Sequence, residues 1–322
     1  MMSSTLQRRR FCASAATGFA SLALGKILTA QAADATKSSL PAGKFVDIHT
    51  HLGQVWNTSE ELTVDGLLQW MDSNEVSQAV VLPLVSPESS SYLLTTEEIL
   101  AKTKPYRDRL IPFCCIDPRT SYNGGRPALK EMLRRYVDAG AKGLGEHKAG
   151  VKFNDARNMT LYGVCGELKL PVLFHLDNER NLDAPGLPGL EQALREFPET
   201  QFIGHGPGWW ASISADATQA DLGGYPDRPV VPGGAIDTLM EKYPNLNGDL
   251  SAGSGNTAFK RDMKFAREFV LRRADRLLFG SDYLEPSQKV PQFVTLRLLN
   301  LPAEIQAKVF RDNARRLLQI AG

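Results

Sequence analysis

The chain has five histidines, and four of them stand at or just beyond short apolar runs. His49 and His51 lie in Asp47-Ile48-His49-Thr50-His51, His175 follows Val172-Leu173-Phe174, and His205 follows Phe202-Ile203-Gly204. Such runs read as buried strands, so each histidine falls at a strand C-terminus. Two carboxylates take matching places: Asp282 after Phe279-Gly280-Ser281, and Glu146 after Leu144-Gly145. Imidazole nitrogen and carboxylate oxygen are ligands for Zn²⁺ and also suit Mn²⁺ or Fe²⁺. A metal held this way lowers the pKa of its water from about 16 to near 7. A neighbouring carboxylate can then take the remaining proton during attack. Each residue alone has a plainer reading: a strand-end histidine is usually a packed, hydrogen-bonded residue, and a lone Gly-Ser-Asp is a loop. The joint pattern is what points to a metal centre.

The elements that position these residues alternate regularly. Strands are expected at 45–48, 78–84, 110–116, 141–145, 172–174, 201–203, 246–250 and 276–279. Amphipathic helical stretches fall at 64–74, 126–139, 158–168, 189–197, 235–243 and 258–273, and a helical region over 302–318 closes the chain. Eight strands alternating with helices predict parallel pairing and an α/β fold of the (β/α)₈ TIM-barrel type. An open doubly wound sheet is the alternative, but no GxGxxG follows the first strand. In a barrel all strand C-termini face one mouth, so residues remote in sequence converge there. Alternation along the first strand puts His49 and His51 on one face. Residues 205–235, rich in Gly, Pro and Trp, read as a lid or binding loop on that mouth.

Composition sets the limits. The chain has 322 residues, 43% hydrophobic and 23% charged, an ordinary globular mixture. Cys12, Cys114, Cys115 and Cys165 form no metal-type pair and read as core thiols. Gln7-Arg8-Arg9-Arg10-Phe11, a modestly apolar stretch from 12 to 25, and Ala30-Gln31-Ala32 together read as a twin-arginine leader. The expected division is a signal peptide at 1–32, a linker at 33–44 and a barrel domain at 45–322. The expected destination is the periplasm or cell exterior, with cleavage after Ala32 and the twin-arginine export machinery as partner. The apolar stretch is too short for a stable membrane span. Without positions 1–32, the chain carries 33 basic and 36 acidic residues, a net −3. That balance disfavours nucleic acid as a partner and leaves a small-molecule substrate.

These motifs resemble the amidohydrolase superfamily, in particular its amidohydrolase-related (amidohydrolase 2) branch. That branch also includes decarboxylases similar to aminocarboxymuconate semialdehyde decarboxylase. The likeness runs over roughly residues 45–320 and includes Asn313-Ala314-Arg315-Arg316-Leu317, which looks like the branch's closing NAxRL helix. The resemblance implies His49, His51 and His175 as metal ligands and Asp282 as both ligand and proton-accepting base. It implies His205 either as polariser of a substrate carbonyl or as ligand of a second metal. Gly145-Glu146 looks like the Gly-Glu of TatD-type nucleases, which makes Glu146 a second-metal ligand or else a salt-bridged rim carboxylate. His147 is expected to pack, and Lys148 to lie in the following loop. The substrate-side candidates are Asn178, Arg180, Trp209, Trp210 and Tyr283. An arginine after the fifth strand can clamp a carboxylate, and the tryptophans can stack on a ring. Asn178, Arg180 and Tyr283, like Asp177 and Asp249, also have a framework reading; for the Trp pair the substrate reading is preferred. The expected activity is metal-dependent hydrolysis of a C–O or C–N bond in a lactone, ester or amide, with one or two ions, Zn²⁺ first. The alternatives are a non-oxidative decarboxylase on the same site and a TatD-like phosphodiesterase. A non-catalytic carbohydrate-binding barrel is a further alternative, but it needs no such cluster.

Overall fold

The computed structural model describes residues 43–55, 58–86, 92–121 and 124–321. The expected leader, Cys12 and linker residues 33–42 lie outside the described residues. Eight parallel strands carry the fold: β1 Phe45–Thr50, β2 Val76–Val81, β3 Leu110–Pro112, β4 Leu144–His147, β5 Val172–His175, β6 Phe202–His205, β7 Leu246–Asp249 and β8 Leu277–Leu278. β1, β2 and β3 pair in that order, and β4 to β8 pair in sequence. A parallel bridge from Cys114 to Leu144 joins the two sets. The last strand returns to the first: Ile48 N–H donates to Phe279 O at 2.9 Å, Asp282 N–H to His49 O at 2.9 Å and His51 N–H to Tyr283 O at 3.1 Å. The ring is therefore closed, and its own eight strands leave no edge for pairing.

Each strand is followed by helix: α1 Val64–Ser73, α2 Thr96–Thr103, α3 Gly125–Asp138, α4 Ala156–Glu167, α5 Pro188–Glu196, α6 Pro207–Ala211, α7 Ala235–Lys242, α8 Ala252–Lys260, α9 Met263–Arg272, α10 Gln292–Leu298, α11 Ala303–Ala307 and α12 Asn313–Leu318. The stretch expected as one helix over 258–273 is two, because Asp262 caps α9 by accepting from Phe265 N–H at 3.0 Å. Helix α2 is too short to show a period, yet Thr95 and Glu98 form a capping box that announces its start. No helix among the described residues is long and apolar enough to cross a membrane.

The interior of the ring is filled by Val46, Ile48, Val80, Leu82, Ile111, Phe113, Leu173, Ile203 and Leu278. Ala314 and Leu318 of α12 join them and plug the end where the strands begin. Gln78 Nε2 there donates to Ala321 O at 3.2 Å, and Asn313 Nδ2 to Leu277 O at 2.9 Å. With that end filled by side chains, only the strand C-termini can form an open site. Cys114, Cys115 and Cys165 are buried free thiols, as expected, and burial pushes their pKa values up.

The tryptophan pair corrects the sequence reading. Pro207 starts α6 directly after β6, and Trp209 and Trp210 turn inward from it. Trp209 meets Phe174 edge-on at 5.7 Å; Trp210 packs on Phe259 at 5.5 Å and donates from Nε1 to Asp249 O at 2.9 Å. Both are fully buried, so neither offers a face to a substrate. Trp209→Ala is therefore expected to cost about 3–5 kcal/mol of stability, read as a lower urea midpoint. Unchanged stability with weakened ligand binding would restore the stacking role.

Candidate metal centre

All six metal candidates meet at the ring's open end. His49 Nε2 lies 3.2 Å from His51 Nε2 and 3.4 Å from Asp282 Oδ1. His51 Nε2 is 3.6 Å from that same Asp282 oxygen. Glu146 Oε2 stands 3.8 Å from His49 Nε2 and 3.6 Å from His51 Nε2. Its other oxygen, Oε1, faces His175 Nδ1 at 2.8 Å and His205 Nε2 at 3.6 Å. Glu146 thus sits between two histidine pairs, one from β1 and one from β5 and β6.

The far ring nitrogen of every histidine in the cluster is tied. His49 Nδ1 meets Asp249 Oδ2 at 2.7 Å, and His205 Nδ1 meets the same oxygen at 3.0 Å. His51 Nδ1 donates to Leu82 O at 3.0 Å, and His175 Nε2 to Asp177 Oδ2 at 3.0 Å. For His51 and His205 the outward nitrogen faces a carbonyl or carboxylate and carries the N–H, so the inward nitrogen keeps its lone pair, whereas His175 faces a carboxylate through both nitrogens and His49 is flanked by three. Four inward ring nitrogens and two carboxylates then converge, a crowd of anionic and electron-rich groups. A cation relieves that arrangement, and outer partners that fix ring tautomers are the usual companions of metal ligands. Donors about 2.0–2.1 Å from a tetrahedral zinc stand roughly 3.3 Å apart, close to the spacings around His49 and His51. The donor set therefore fits a divalent cation; three overlapping groups, His49–His51–Glu146, Glu146–His175–His205 and His49–His205–Asp249, have metal-compatible spacing.

The electrostatics agree. Burial presses the His49 pKa down, but Asp282, Asp249 and Glu146 outweigh it and raise the value to about 9. Burial and the adjacent His49 lower His51 to about 4. Burial opposes ionisation of Glu146, yet Lys148, His175 and His49 hold it well below the usual carboxylate range. Asp249 is likewise held low by His49 and His205 against its burial. This is a cluster of buried anions that draws positive charge.

Two glycines make room for it. Gly206, at φ 100°, would bring a Cβ within 2.9 Å of the His175 ring. A Cβ on Gly280 would stand 2.2 Å from Asp249 Oδ1. Asp282 itself sits at φ 56°, a strained place for a non-glycine, and is held there by its hydrogen bond to His49 O.

The centre opens into a cavity of about 330 Å³ whose lining includes the polar His51, Glu146, Lys148, Asp177, Arg180 and Asp282 and the apolar Val55, Leu84 and Leu284. Two other clefts, of about 450 and 770 Å³, contain no histidine. Arg180 is on the cavity wall, paired to Asp177. Two further substrate candidates are not there. Asn178 turns away and exchanges hydrogen bonds with Gln219, Nδ2 to Gln219 O at 3.1 Å and Oδ1 from Gln219 Nε2 at 2.9 Å. Tyr283 is buried, stacks on Trp70 at 4.1 Å and donates to Pro286 O at 2.9 Å. His147 packs as expected, bonded to Asn158 Oδ1 at 3.0 Å. Tyr225 and Ser251 are site residues that sequence reasoning passed over, while Lys148, expected in the loop, and Asp249, given a framework reading, are drawn into the site. The available signals were the carboxylate closing the seventh strand and the aromatic after Gly223-Gly224.

Residues 46–320 match the family model described as amidohydrolase. The chain belongs to the amidohydrolase family, a class of metal-dependent enzymes. No curated protein matches it. Solved structures share its fold. A TIM-barrel protein from Bordetella bronchiseptica is 17% identical, with TM-score 0.59, over 85% of this chain and 98% of that one. A probable 2-pyrone-4,6-dicarboxylic acid hydrolase from Acinetobacter baumannii is 14% identical, with TM-score 0.56, over 86% and 100%. A dihydroxybenzoic acid decarboxylase from a Polaromonas species, with bound manganese, is 14% identical, with TM-score 0.55, over 86% and 97%.

Asp249 touches no cavity, yet it sets two of the inward nitrogens. Asp249→Asn is expected to weaken zinc binding about 10–100-fold, measured by chelator competition. Unchanged affinity would reduce Asp249 to a packing residue.

Proposed function

We propose that the enzyme hydrolyses a C–O or C–N bond at a carbonyl carbon of a small molecule: a lactone, ester or amide. The observation that carries this reading is Glu146 set between two tethered histidine pairs, with Asp282 beside one of them and 21% exposed toward the cavity. His49, His51, Asp282 and Glu146 would hold one divalent ion, and Glu146, His175 and His205 a second; zinc suits the donors best, with manganese or iron also compatible. Such an ion supplies Lewis acidity and brings the pKa of water down toward about 7.

The chain's own residues do the rest. As a water oxygen bonds to the carbonyl carbon, Asp282 accepts its proton. The C–O or C–N bond then breaks, and Asp282 returns that proton to the departing oxygen or nitrogen. His205 carries its N–H on Nδ1, toward Asp249, so Nε2 is an acceptor. That favours ligation over polarising a carbonyl by donation. Val55, Leu84 and Leu284 exclude water from one side of the substrate.

A second reading, non-oxidative decarboxylation on the same donors, draws support from the fold neighbours and from Lys148 and Arg180, which can bind a carboxylate. A panel of lactones, esters, amides and aromatic carboxylates, scored for hydrolysis products against CO₂, separates the two. Asp282→Asn is expected to lower turnover about 10²–10⁴-fold; full activity would remove the assigned base.

We further infer that residues 1–32 direct twin-arginine export and that the enzyme works outside the cytoplasm. The support is Arg8-Arg9-Arg10 ahead of a short apolar stretch, together with a centre drawn from β1, β4, β5, β6 and the turn after β8. Such a centre forms only once the ring closes, so cation capture is coupled to folding. That gives a physical reason to export the protein folded. Replacing Arg8, Arg9 and Arg10 with Lys is expected to leave active, unprocessed protein in the cytoplasm, read by fractionation and immunoblot. Unchanged export and cleavage near Ala32 would mean an ordinary secretory leader.

A further inference from the structure

Lys148 has no part in the mechanism above, yet it is one of the best-placed cations in the molecule. Its side chain is 10% exposed and lines the cavity, with Nζ 2.6 Å from Glu146 Oε2. That oxygen is the one turned toward His49 and His51. Glu146 Oε1 is already engaged by His175 at 2.8 Å. An incoming cation and the Lys148 ammonium therefore compete for one oxygen. Like charges a few ångströms apart in a poorly solvated site repel strongly, so both do not stay there. Lysine is suited to yielding: its ammonium is a point charge on a flexible four-carbon stem, with no fixed geometry to lose. The space it can turn into is the cavity, where Arg180, ion-paired with Asp177, supplies a second positive group.

We propose that Lys148 is a displaceable counter-ion: it neutralises Glu146 in the cation-free protein, gives up that contact when the cation loads, and then forms with Arg180 the receptor for a carboxylate on the substrate. This rests on the metal-dependent reading above and names a substrate class for it, molecules that carry a carboxylate beside the bond to be broken. The coupling is reciprocal. Cation loading prepares the anion receptor, and an anion that holds Lys148 away from Glu146 tightens the cation. The empty protein avoids a bare buried carboxylate, and the loaded one does not bury an unpaired ammonium, because the substrate supplies its partner.

The test uses the full mature chain, with zinc and phthalate, a planar dicarboxylate, as probes. Zinc affinity is measured by competition with a chromophoric chelator in wild type, Lys148→Met and Lys148→Gln. Phthalate binding is measured by calorimetry on the zinc-loaded proteins. Both neutral variants are expected to bind zinc at least tenfold more tightly than wild type, because no ammonium has to leave. Both are expected to bind phthalate at least tenfold more weakly once loaded. Two variants of different polarity guard against a packing defect in one, and thermal midpoints confirm that each is folded. Zinc affinity that is unchanged or weaker in both would overturn the counter-ion role while leaving the metal reading intact. Tighter zinc with unaltered phthalate binding would overturn the receptor role. A wild-type chain that binds no zinc, manganese or iron would instead overturn the metal reading, and this proposal with it.

Discussion

A single buried carboxylate, Asp249 at the end of β7, fixes the geometry of this centre. It accepts from His49 Nδ1 of β1, His205 Nδ1 of β6, and both the hydroxyl and the backbone N–H of Ser251, at 2.7 to 3.0 Å. A carboxylate taken fully out of water is tolerated only when donors surround it. Asp249 has four, drawn from three parts of the chain. Gly280, after β8, leaves the space it occupies. The same interaction therefore ties the strand ends together and sets which nitrogen of each ring carries the proton. With an N–H of each ring pointing at Asp249, the other ring nitrogen of His49 and of His205 points toward Glu146.

From that constraint the chemistry follows. His51 and His175 are set in the same fashion by Leu82 O and Asp177. Four inward ring nitrogens then surround an anionic glutamate, of which His175 Nδ1 comes within 2.8 Å. The apolar barrel below makes matters worse for bare charge, since it supplies neither water nor donors. The His49 pKa raised to about 9 and the Lys148 contact with Glu146 are two forms of one response: the cluster draws whatever positive charge lies within reach. Stability and function are opposed here. The strained Asp282 backbone and the crowded anions lower stability locally, and the tightly packed ring and its α12 plug offset that elsewhere.

The ring and its candidate metal ligands were legible because both leave marks of composition. Buried parallel strands are short apolar runs, and a ligand at a strand end is a polar residue just past such a run. His49, His51, His175, His205, Glu146 and Asp282 all follow that rule, and all six converge. What stayed hidden depends on direction. Trp209 and Trp210 sit in a Gly- and Pro-rich stretch, and nothing in the sequence says that Pro207 begins a helix whose indoles face inward. Tyr283 follows the candidate ligand Asp282 but stacks on Trp70 instead. Asn178 and Arg180 are two residues apart, yet only the arginine reaches the cavity, because the turn at Asp177 intervenes. Lys148 looked like loop; the structure brings it back to Glu146, two residues before it.

The connection after β6 shows why a long loop here need not be a lid. Residues 205–235 have the length and composition of a mobile cover, but they are pinned along their course. The buried indoles anchor the first turn. Arg228 then bonds to both Asp216 and Asp221, with Nε to Asp216 at 2.9 Å and Nη2 to Asp221 at 2.8 Å. Ala215 N–H donates to Val231 O at 2.9 Å, closing the loop on itself, and Arg261 Nη1 of the turn after α8 holds Pro226 O at 3.2 Å. Exposed ion pairs contribute little singly, so the ordering comes from the indoles and the main-chain bonds, with Arg228 choosing one arrangement among those they allow. Tyr225, 55% exposed at the rim, is the part of this loop placed to meet a ligand at the mouth. A wall built before the substrate arrives costs no ordering on binding. What remains free to respond is then a side chain, Lys148, rather than a segment of backbone.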